Sequence, residues 1–82
     1  MPVPLTLYTR HPCPLCEDLV ARLAGLPLDI TEVDVDGDRD LSERYGLRIP
    51  VLVDGDGNLV AEGRIDAEGL RRVRRLVEEA ST

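Results

Sequence analysis

Short apolar runs alternate along the chain with segments of helical periodicity, and neither a linker nor a repeat separates them. The runs predict strands at residues 5–9, 28–34, 51–53 and 59–62. Helices are expected at residues 14–24, 38–45 and from Asp66 onward. The order β-α-β-α-β-β-α predicts an α/β fold, in which helices cover both faces of a four-stranded mixed sheet.

The residues at the helix ends and the spacing of apolar residues within the helices support further predictions. In the first helix, Leu15, Leu19 and Leu23 stand four residues apart, which predicts one buried face, and Gly25 is expected to end the helix. Asp66 is expected to cap the last helix, since its side chain can accept a backbone N–H. The buried stripe of that helix is expected to contain Leu70, Val73, Leu76 and Val77.

Size and composition limit the class of protein. With 82 residues the chain is expected to form a single domain, residues 1–82, and its core must come from Leu, Val and Ile because Phe and Trp are absent. No apolar run approaches the roughly 20 residues needed to span a membrane. No basic stretch leads into an apolar signal region, so we expect a cytoplasmic protein. The net charge of −6 argues against nucleic acid as a partner.

The only two cysteines form a Cys-x-x-Cys pair between the first strand and the first helix. Unpaired N–H groups and the positive end of the helix dipole favour the thiolate form of a cysteine at a helix start. A pKa lowered from about 8.5 to about 6 would make such a cysteine roughly 90% thiolate at pH 7. Cys13 lies at the helix entrance and is expected to be the nucleophile. Cys16, one turn further and more covered, is expected to resolve the mixed disulfide by closing a disulfide with Cys13.

Metal binding and an inert cysteine pair are the alternatives for these residues. A structural zinc site needs four ligands, and only His11 could add a soft ligand within one chain. A metal ion or iron–sulfur cluster shared between two chains stays open. The acidic runs at residues 34–38 and 54–58 do not match a calcium loop, because the required Gly and Glu positions hold other residues.

Two segments resemble a known family. The run from Leu7 to Asp18 is similar to the active-site segment of glutaredoxins, and residues 45–53 resemble the proline segment of the thioredoxin superfamily. The element order also matches the glutaredoxin type. The resemblance covers essentially the whole chain and points to the small bacterial glutaredoxin-like proteins of uncertain substrate.

The resemblance implies further site residues. It implies a cis peptide bond between Ile49 and Pro50 that faces the cysteines, with the backbone of Ile49 pairing with an extended substrate. It places Arg10 where many glutaredoxins carry Lys, as a cation for a substrate carboxylate or for the thiolate. Gly63 retains one glycine of a pair that lets glutathione approach the backbone, whereas Glu62 replaces the other.

Other positions depart from the family pattern. Leu15 replaces the Tyr that is common in glutathione-using glutaredoxins, and Leu7 stands where thioredoxins carry a buried acid. Together with Glu62, these departures put glutathione use in question and leave a thioredoxin-type proton shuttle without support.

These observations favour a monomeric thiol–disulfide oxidoreductase that acts on protein disulfides or glutathione mixed disulfides. We expect no resident cofactor and no metal, with glutathione as a candidate co-substrate and a thioredoxin-type or glutathione-type reductant. One alternative is a binding module or redox sensor that presents the Ile49-Pro50 edge to a partner protein. Another is a carrier of a metal or iron–sulfur cluster bridged by cysteines of two chains.

Overall fold

The strands and helices follow the expected order. The structure, a computed structural model, describes residues 2–80. Its strands are β1 (Val3–Thr9), β2 (Leu28–Asp34), β3 (Val51–Asp54) and β4 (Leu59–Glu62). Its helices are α1 (Pro14–Leu23), α2 (Arg39–Tyr45) and α3 (Ala67–Ala80), with a short 3₁₀ turn at Val35–Gly37 that the sequence did not predict. The α/β class and the four-stranded mixed sheet are therefore confirmed.

The pairing of the strands gathers four connecting segments at one end of the sheet. The strand order is β2-β1-β3-β4, with β1 parallel to β2 and antiparallel to β3, and β3 antiparallel to β4. Thr9 lies beside Asp34, Tyr8 beside Val51, and Val51 beside Glu62. The segments that follow β1, β2 and β4 and the segment that precedes β3 consequently meet at this end, which we call the loop end.

One face of the sheet carries the main core beneath α1 and α3. Side chains alternate along a strand, and Leu5 and Leu7 are the buried β1 leucines of this face. The buried cluster consists of Leu5, Leu7, Leu19, Leu23, Leu52, Val60 and Val73. Each buried Leu or Val contributes about 1.5–3 kcal/mol relative to an exposed one.

The buried face of α1 is not the face that the spacing of its leucines predicts. Cys16, Leu19 and Leu23 are its buried residues, whereas Leu15 is 42% exposed. The spacing of three and four residues places Cys16 within the apolar stripe, and Leu15 falls at the stripe's other border. The expectation that Leu15 is part of the core was therefore wrong.

Asp66 caps α3 as expected, but fewer residues of its apolar stripe are fully buried than the sequence predicts. The Asp66 carboxylate accepts the Gly69 N–H at 3.0 Å. This hydrogen bond lowers the pKa of Asp66 below its ordinary range. Of the expected stripe only Val73 is fully buried, and Leu70 and Leu76 pack against the core while half-buried. Gly69 is also buried, which the sequence did not predict.

Helix α2 packs against the opposite face of the sheet at the loop end. Tyr8 of β1 and Tyr45 of α2 stack with their ring centroids 4.2 Å apart, and Val51 beside Tyr8 is fully buried. Asp38 caps α2 by accepting the N–H groups of Asp40 and Leu41. The helix is therefore fixed at its end by an aromatic stack rather than by a fully buried apolar stripe.

Candidate active site

Cys13 and Cys16 occupy the first turn of α1 at the loop end of the sheet. They form a disulfide, with their Cα atoms 5.3 Å apart. Cys13 is the N-cap residue of α1 in an extended conformation, and its Sγ accepts the Cys16 N–H at 3.2 Å. Pro14 takes the next position, where a helix needs no N–H donor. The sulfur of Cys13 thus receives one of the N–H groups that a helix leaves unpaired at its start.

Both cysteines are shielded from solvent, but not equally. Cys13 is 8% exposed and Cys16 is 3% exposed. The backbone of Cys13 also anchors the helix, because its carbonyl oxygen accepts the Glu17 N–H at 3.0 Å. The assignment of Cys13 as nucleophile and Cys16 as resolver stays a prediction, and the greater exposure of Cys13 agrees with it.

The proline segment approaches the cysteine loop because β1 and β3 are antiparallel. The peptide bond between Ile49 and Pro50 is cis, as is the one between His11 and Pro12, which the sequence did not suggest. Pro50 is buried and Ile49 is half-buried. The Ile49 N–H donates to the Tyr45 carbonyl oxygen at 3.1 Å, so this donor serves the turn that ends α2.

Gly63 connects the end of β4 to the proline segment. Its N–H donates to the carbonyl oxygens of Pro50, at 2.8 Å, and Arg48, at 3.0 Å. Its φ of +67° lies in the left-handed region that favours glycine, and a Cβ atom there would meet no other atom within 4 Å. Gly63 therefore faces open space, but its N–H is already used within the chain. Its proposed contact with a substrate stays a prediction.

The charge of Glu62 is balanced by an arginine of the proline segment. The Nε atom of Arg48 donates to Oε2 of Glu62. The Arg48 guanidinium also lies 5.6 Å from the centroid of the Tyr45 ring, within cation–π distance. The negative charge that Glu62 brings to this position is thus paired, which the sequence did not reveal.

Arg10 is held by two groups that the sequence analysis did not single out. One guanidinium nitrogen, Nη2, lies 3.2 Å from an oxygen of Asp36, in the 3₁₀ turn that follows β2. The same nitrogen packs 3.0 Å from the place where a side chain at Gly46 would begin. The Nε atom of Arg10 is buried without a hydrogen-bond partner among residues 2–80. Arg10 thus links the cysteine loop to the end of α2, and its proposed contact with a substrate stays a prediction.

A groove opens directly beside the cysteines, between α1 and the segment that leads into α3. Its volume is about 580 Å³. Pro14 and Leu15, the residues between the two cysteines, line one side, and Leu19 lines the same helix further along. Arg64 and Ile65 line the other side. No sequence signal pointed to this groove, because its walls come from elements about 45 residues apart.

Comparison with known proteins decides the family. The family model for the glutaredoxin-like domain (DUF836) matches residues 4–73. The chain belongs to this glutaredoxin-like family. The resemblance read from the Cys-x-x-Cys and proline segments is therefore confirmed.

Two solved structures of bacterial proteins resemble this glutaredoxin-like domain. The X-ray structure of protein XcR50 from X. campestris is 39% identical, with a TM-score of 0.74, and the match covers 87% of this chain and 95% of that one. The solution NMR structure of protein Ne2328 from Nitrosomonas europaea is 23% identical, with a TM-score of 0.73. That match covers 89% of this chain and 92% of that one, and it supports the fold alone. A search of curated proteins finds no match.

Residues 2–80 of this glutaredoxin-like domain contain neither a metal-binding cluster nor a membrane-spanning helix. Within residues 2–80, no three or more His, Cys, Asp or Glu side chains are grouped so that they could hold a metal ion. No helix in the same range is long and apolar enough to cross a membrane. His11 is exposed, in line with an ordinary loop histidine. The acidic run at 54–58 forms the turn between β3 and β4, in which Asp54 accepts the N–H groups of Asp56 and Asn58.

Proposed function

We propose that this glutaredoxin-like domain is a thiol–disulfide oxidoreductase in which Cys13 attacks and Cys16 resolves. The observation that carries the proposal is the position of Cys13. It caps α1, accepts the Cys16 N–H through its sulfur, and stands within disulfide reach of Cys16. A hydrogen bond to a charged acceptor is stronger than one to a neutral acceptor, so this N–H favours the Cys13 thiolate once the disulfide is reduced.

The reaction transfers two electrons from the protein dithiol to the substrate disulfide. The Cys13 thiolate attacks one sulfur of the substrate, the substrate S–S bond breaks, and one substrate thiolate leaves. Cys16 then loses its proton and attacks Sγ of Cys13. The mixed disulfide breaks, the second substrate thiolate leaves, and the Cys13–Cys16 disulfide remains. A thioredoxin-type or glutathione-type reductant restores the dithiol.

In this proposal, the backbone of the proline segment forms hydrogen bonds with the backbone of the substrate. The Ile49 N–H is occupied by Tyr45, so the Ile49 carbonyl is the group we assign to an extended substrate chain beside cis-Pro50. Arg10 and Gly63 flank the same end of the sheet. Because Arg10 is paired with Asp36, a substrate carboxylate would have to share its guanidinium.

The substrates we propose are protein disulfides or glutathione mixed disulfides. We propose that the domain acts as a monomer in the cytoplasm and has no nucleic-acid or membrane partner. Glutathione would serve as a co-substrate and not as a resident cofactor. Because Arg48 pairs with Glu62, the charge of Glu62 repels the carboxylates of glutathione less than an unpaired carboxylate would, and binding of glutathione can be tested directly.

A redox titration in glutathione buffers, with mass spectrometry of acid-trapped thiols, tests the proposal. A Cys13–Cys16 disulfide in equilibrium at roughly −200 to −230 mV would indicate glutaredoxin-like chemistry, and one near −270 mV a thioredoxin-like reductant. A glutathione adduct on Cys13 would show that the small thiol is accepted. A pair that never oxidises would contradict the proposal.

Two matched variants separate the roles of the cysteines. Cys13→Ser should abolish the reduction of a peptide disulfide, whereas Cys16→Ser should retain the first attack and accumulate a mixed disulfide on Cys13. The two substitutions are chemically identical and lie one helical turn apart, so each is the control for the other. Full turnover by Cys13→Ser, or a trapped adduct on Cys16 instead of Cys13, would refute the assignment.

A further inference from the structure

We propose that Leu47 is a specificity-determining residue, which contacts an apolar side chain of a protein substrate next to the cysteine that reacts with Cys13. The inference rests on the proposed function and names its substrate class. That class is protein disulfides with apolar residues beside the cysteine, in preference to the polar disulfide of glutathione. Leu47 belongs to a surface that we call the apolar rim, whose members are Pro12, Pro14, Leu15, Leu47 and Ile49.

The exposure of Leu47 is not explained by the fold. Its relative exposure is 103%, the highest of the large apolar side chains in residues 2–80. Leu47 lies in a turn that is closed by the backbone, since the Arg48 N–H donates to the Tyr45 carbonyl oxygen at 2.8 Å. Turns of this kind accept most residues and favour polar ones. A polar side chain would therefore serve the fold equally well at this position.

The position of Leu47 connects it to the cysteines. Strands β1 and β3 are antiparallel neighbours, so the residues that follow β1 and those that precede β3 leave the sheet side by side. The Arg10 guanidinium lies 3.0 Å from the place where a side chain at Gly46 would begin, so the two segments touch immediately before Leu47. Two residues separate Leu47 from Ile49, a span of at most about 7 Å. A substrate chain beside Ile49 can therefore bring a neighbouring side chain to Leu47.

Apolar residues also flank the attacking cysteine. Pro12, Pro14 and Leu15 are exposed on either side of Cys13, which is itself 8% exposed. A single exposed leucine is common on protein surfaces. Several apolar residues exposed around one reacting group are instead typical of an interaction site. Leu47 thus adds to an apolar surface that already borders the reacting sulfur.

Both arginines of the two segments are already paired. Arg10 is bound to Asp36 at 3.2 Å, and Arg48 is bound to Glu62. The charge of a substrate therefore has less influence at this edge than its apolar surface. Glutathione has no apolar side chain and gains nothing from Leu47, whereas a protein segment with leucine or a similar residue beside its cysteine does.

The size of the effect follows from the area that a substrate can cover. Complete burial of a leucine side chain favours association by a factor of about ten to more than one hundred. A substrate side chain covers only part of Leu47, so we expect about a fivefold preference for an apolar over a polar flanking residue. Salt screens charges but not apolar contacts, so the preference should persist at about 1 M salt.

The test uses two symmetric peptide disulfides with capped termini as probes. The cysteine is flanked on both sides by Leu in one peptide and by Ser in the other, so both probes are uncharged. The reduced protein is mixed with excess peptide disulfide and quenched with acid, and its oxidation is followed by mass spectrometry. In each single turnover the protein dithiol is oxidised to the Cys13–Cys16 disulfide and one peptide disulfide is reduced to two peptide thiols. Oxidised glutathione is the third probe.

Leu47 variants give the decisive comparison. Wild-type protein should oxidise about fivefold faster with the Leu peptide than with the Ser peptide. Leu47→Ser should bring this ratio close to one and lower the ratio of the Leu peptide to oxidised glutathione about fivefold, whereas Leu47→Met should retain most of both. Leu59→Ser is the matched control and should keep the wild-type ratios. Leu59 is a 51% exposed leucine that begins β4 beside the turn from β3, at the opposite end of the sheet from the cysteines.

Different outcomes overturn different proposals. If no probe oxidises the wild-type protein, the proposed function fails and this inference fails with it. If the two peptides react equally fast, or Leu59→Ser removes the preference as fully as Leu47→Ser, only the Leu47 proposal fails. It also fails if Leu47→Ser slows oxidised glutathione as much as the Leu peptide, since Leu47 would then act on the reactivity of Cys13. A reduced wild-type dimer that Leu47→Ser dissociates, measured by sedimentation equilibrium, would show that a second copy covers Leu47 and would likewise overturn the proposal.

Discussion

Gly69→Ala should destabilise the domain although alanine is the better helix former. Gly69 is buried in the first turn of α3, and a Cβ atom added there would lie 2.9 Å from Cγ2 of Ile65 and 3.5 Å from Cβ of Ala61. The contact with Ala61 is ordinary. The contact with Ile65 is too short, because carbon atoms attract best at about 3.5–4.0 Å. The Ile65 side chain, or α3 itself, must move.

Two opposing terms set the size of the effect. Alanine gains about 0.8–1.0 kcal/mol over glycine from helix propensity. Overpacking in a well-packed interior costs about 1–3 kcal/mol. We expect a net loss of about 1 kcal/mol, which corresponds to a fall in Tm of about 4–8 °C for a domain of this size.

A double-mutant cycle isolates the contact. Ile65→Leu moves the branch of the side chain away from Cβ and so removes Cγ2. In that background, Gly69→Ala should stabilise by up to about 1 kcal/mol, which gives a coupling energy of about 1–2 kcal/mol. Urea denaturation of the four oxidised proteins measures both quantities. A stabilising Gly69→Ala in the wild-type background, or a coupling near zero, would refute the close contact between Gly69 and Ile65.

Three further predictions concern the fold around the site. Leu19→Ala should lower the free energy of unfolding, measured by urea denaturation, by about 2–5 kcal/mol, because Leu19 is 1% exposed. Leu15→Ala should lower it by less than about 1 kcal/mol, because Leu15 is 42% exposed. Equal losses would contradict the observed buried face of α1. The hydrogen bond from the Gly69 N–H lowers the pKa of Asp66 in the folded protein. The ionised Asp66 therefore stabilises the fold fully above the pKa of an unfolded Asp, about 3.9, and this contribution is lost as pH falls through the folded pKa. Asp66→Asn should therefore lose less stability than wild type between about pH 5 and 3; parallel losses in thermal scans would refute this. Gly63→Ala should destabilise by about 1–2 kcal/mol, because φ is +67° there, and unchanged stability would show that the backbone relaxes freely.

The elements with strong local signals were predictable from the sequence. Strand β2 has the predicted bounds although its alternation is a weaker signal, and Gly25 and Pro27 explain only where it begins. Helix α2 begins after Asp38 because that side chain satisfies two N–H groups of the first turn. The strand order within the sheet, β2-β1-β3-β4, was not predicted, because local periodicity does not show which strands pair.

The exposed position of Leu15 was not predictable from spacing. Leu15 and Cys16 both border the apolar stripe of α1, and both are apolar enough to be buried. Which of them faces the core depends on how the helix is rotated against the sheet, a property of the packed molecule. The packing turns Cys16 inward, and this leaves Leu15 at the rim of the groove between α1 and the start of α3.

The charges near the cysteines show why specificity is hard to read from composition. Arg48 and Arg64 both stand near the loop end, and from the sequence either could bind an acidic substrate. The fold brings Glu62 to Arg48, whereas no carboxylate in 2–80 forms an ion pair with Arg64. Which arginine keeps an unpaired charge thus depends on the fold and not on composition, in a chain whose net charge is −6. Glu62→Gln should therefore remove the ion pair with Arg48 and leave a second unpaired cation at the loop end, which makes the local potential more positive although the substitution changes the net charge by only one.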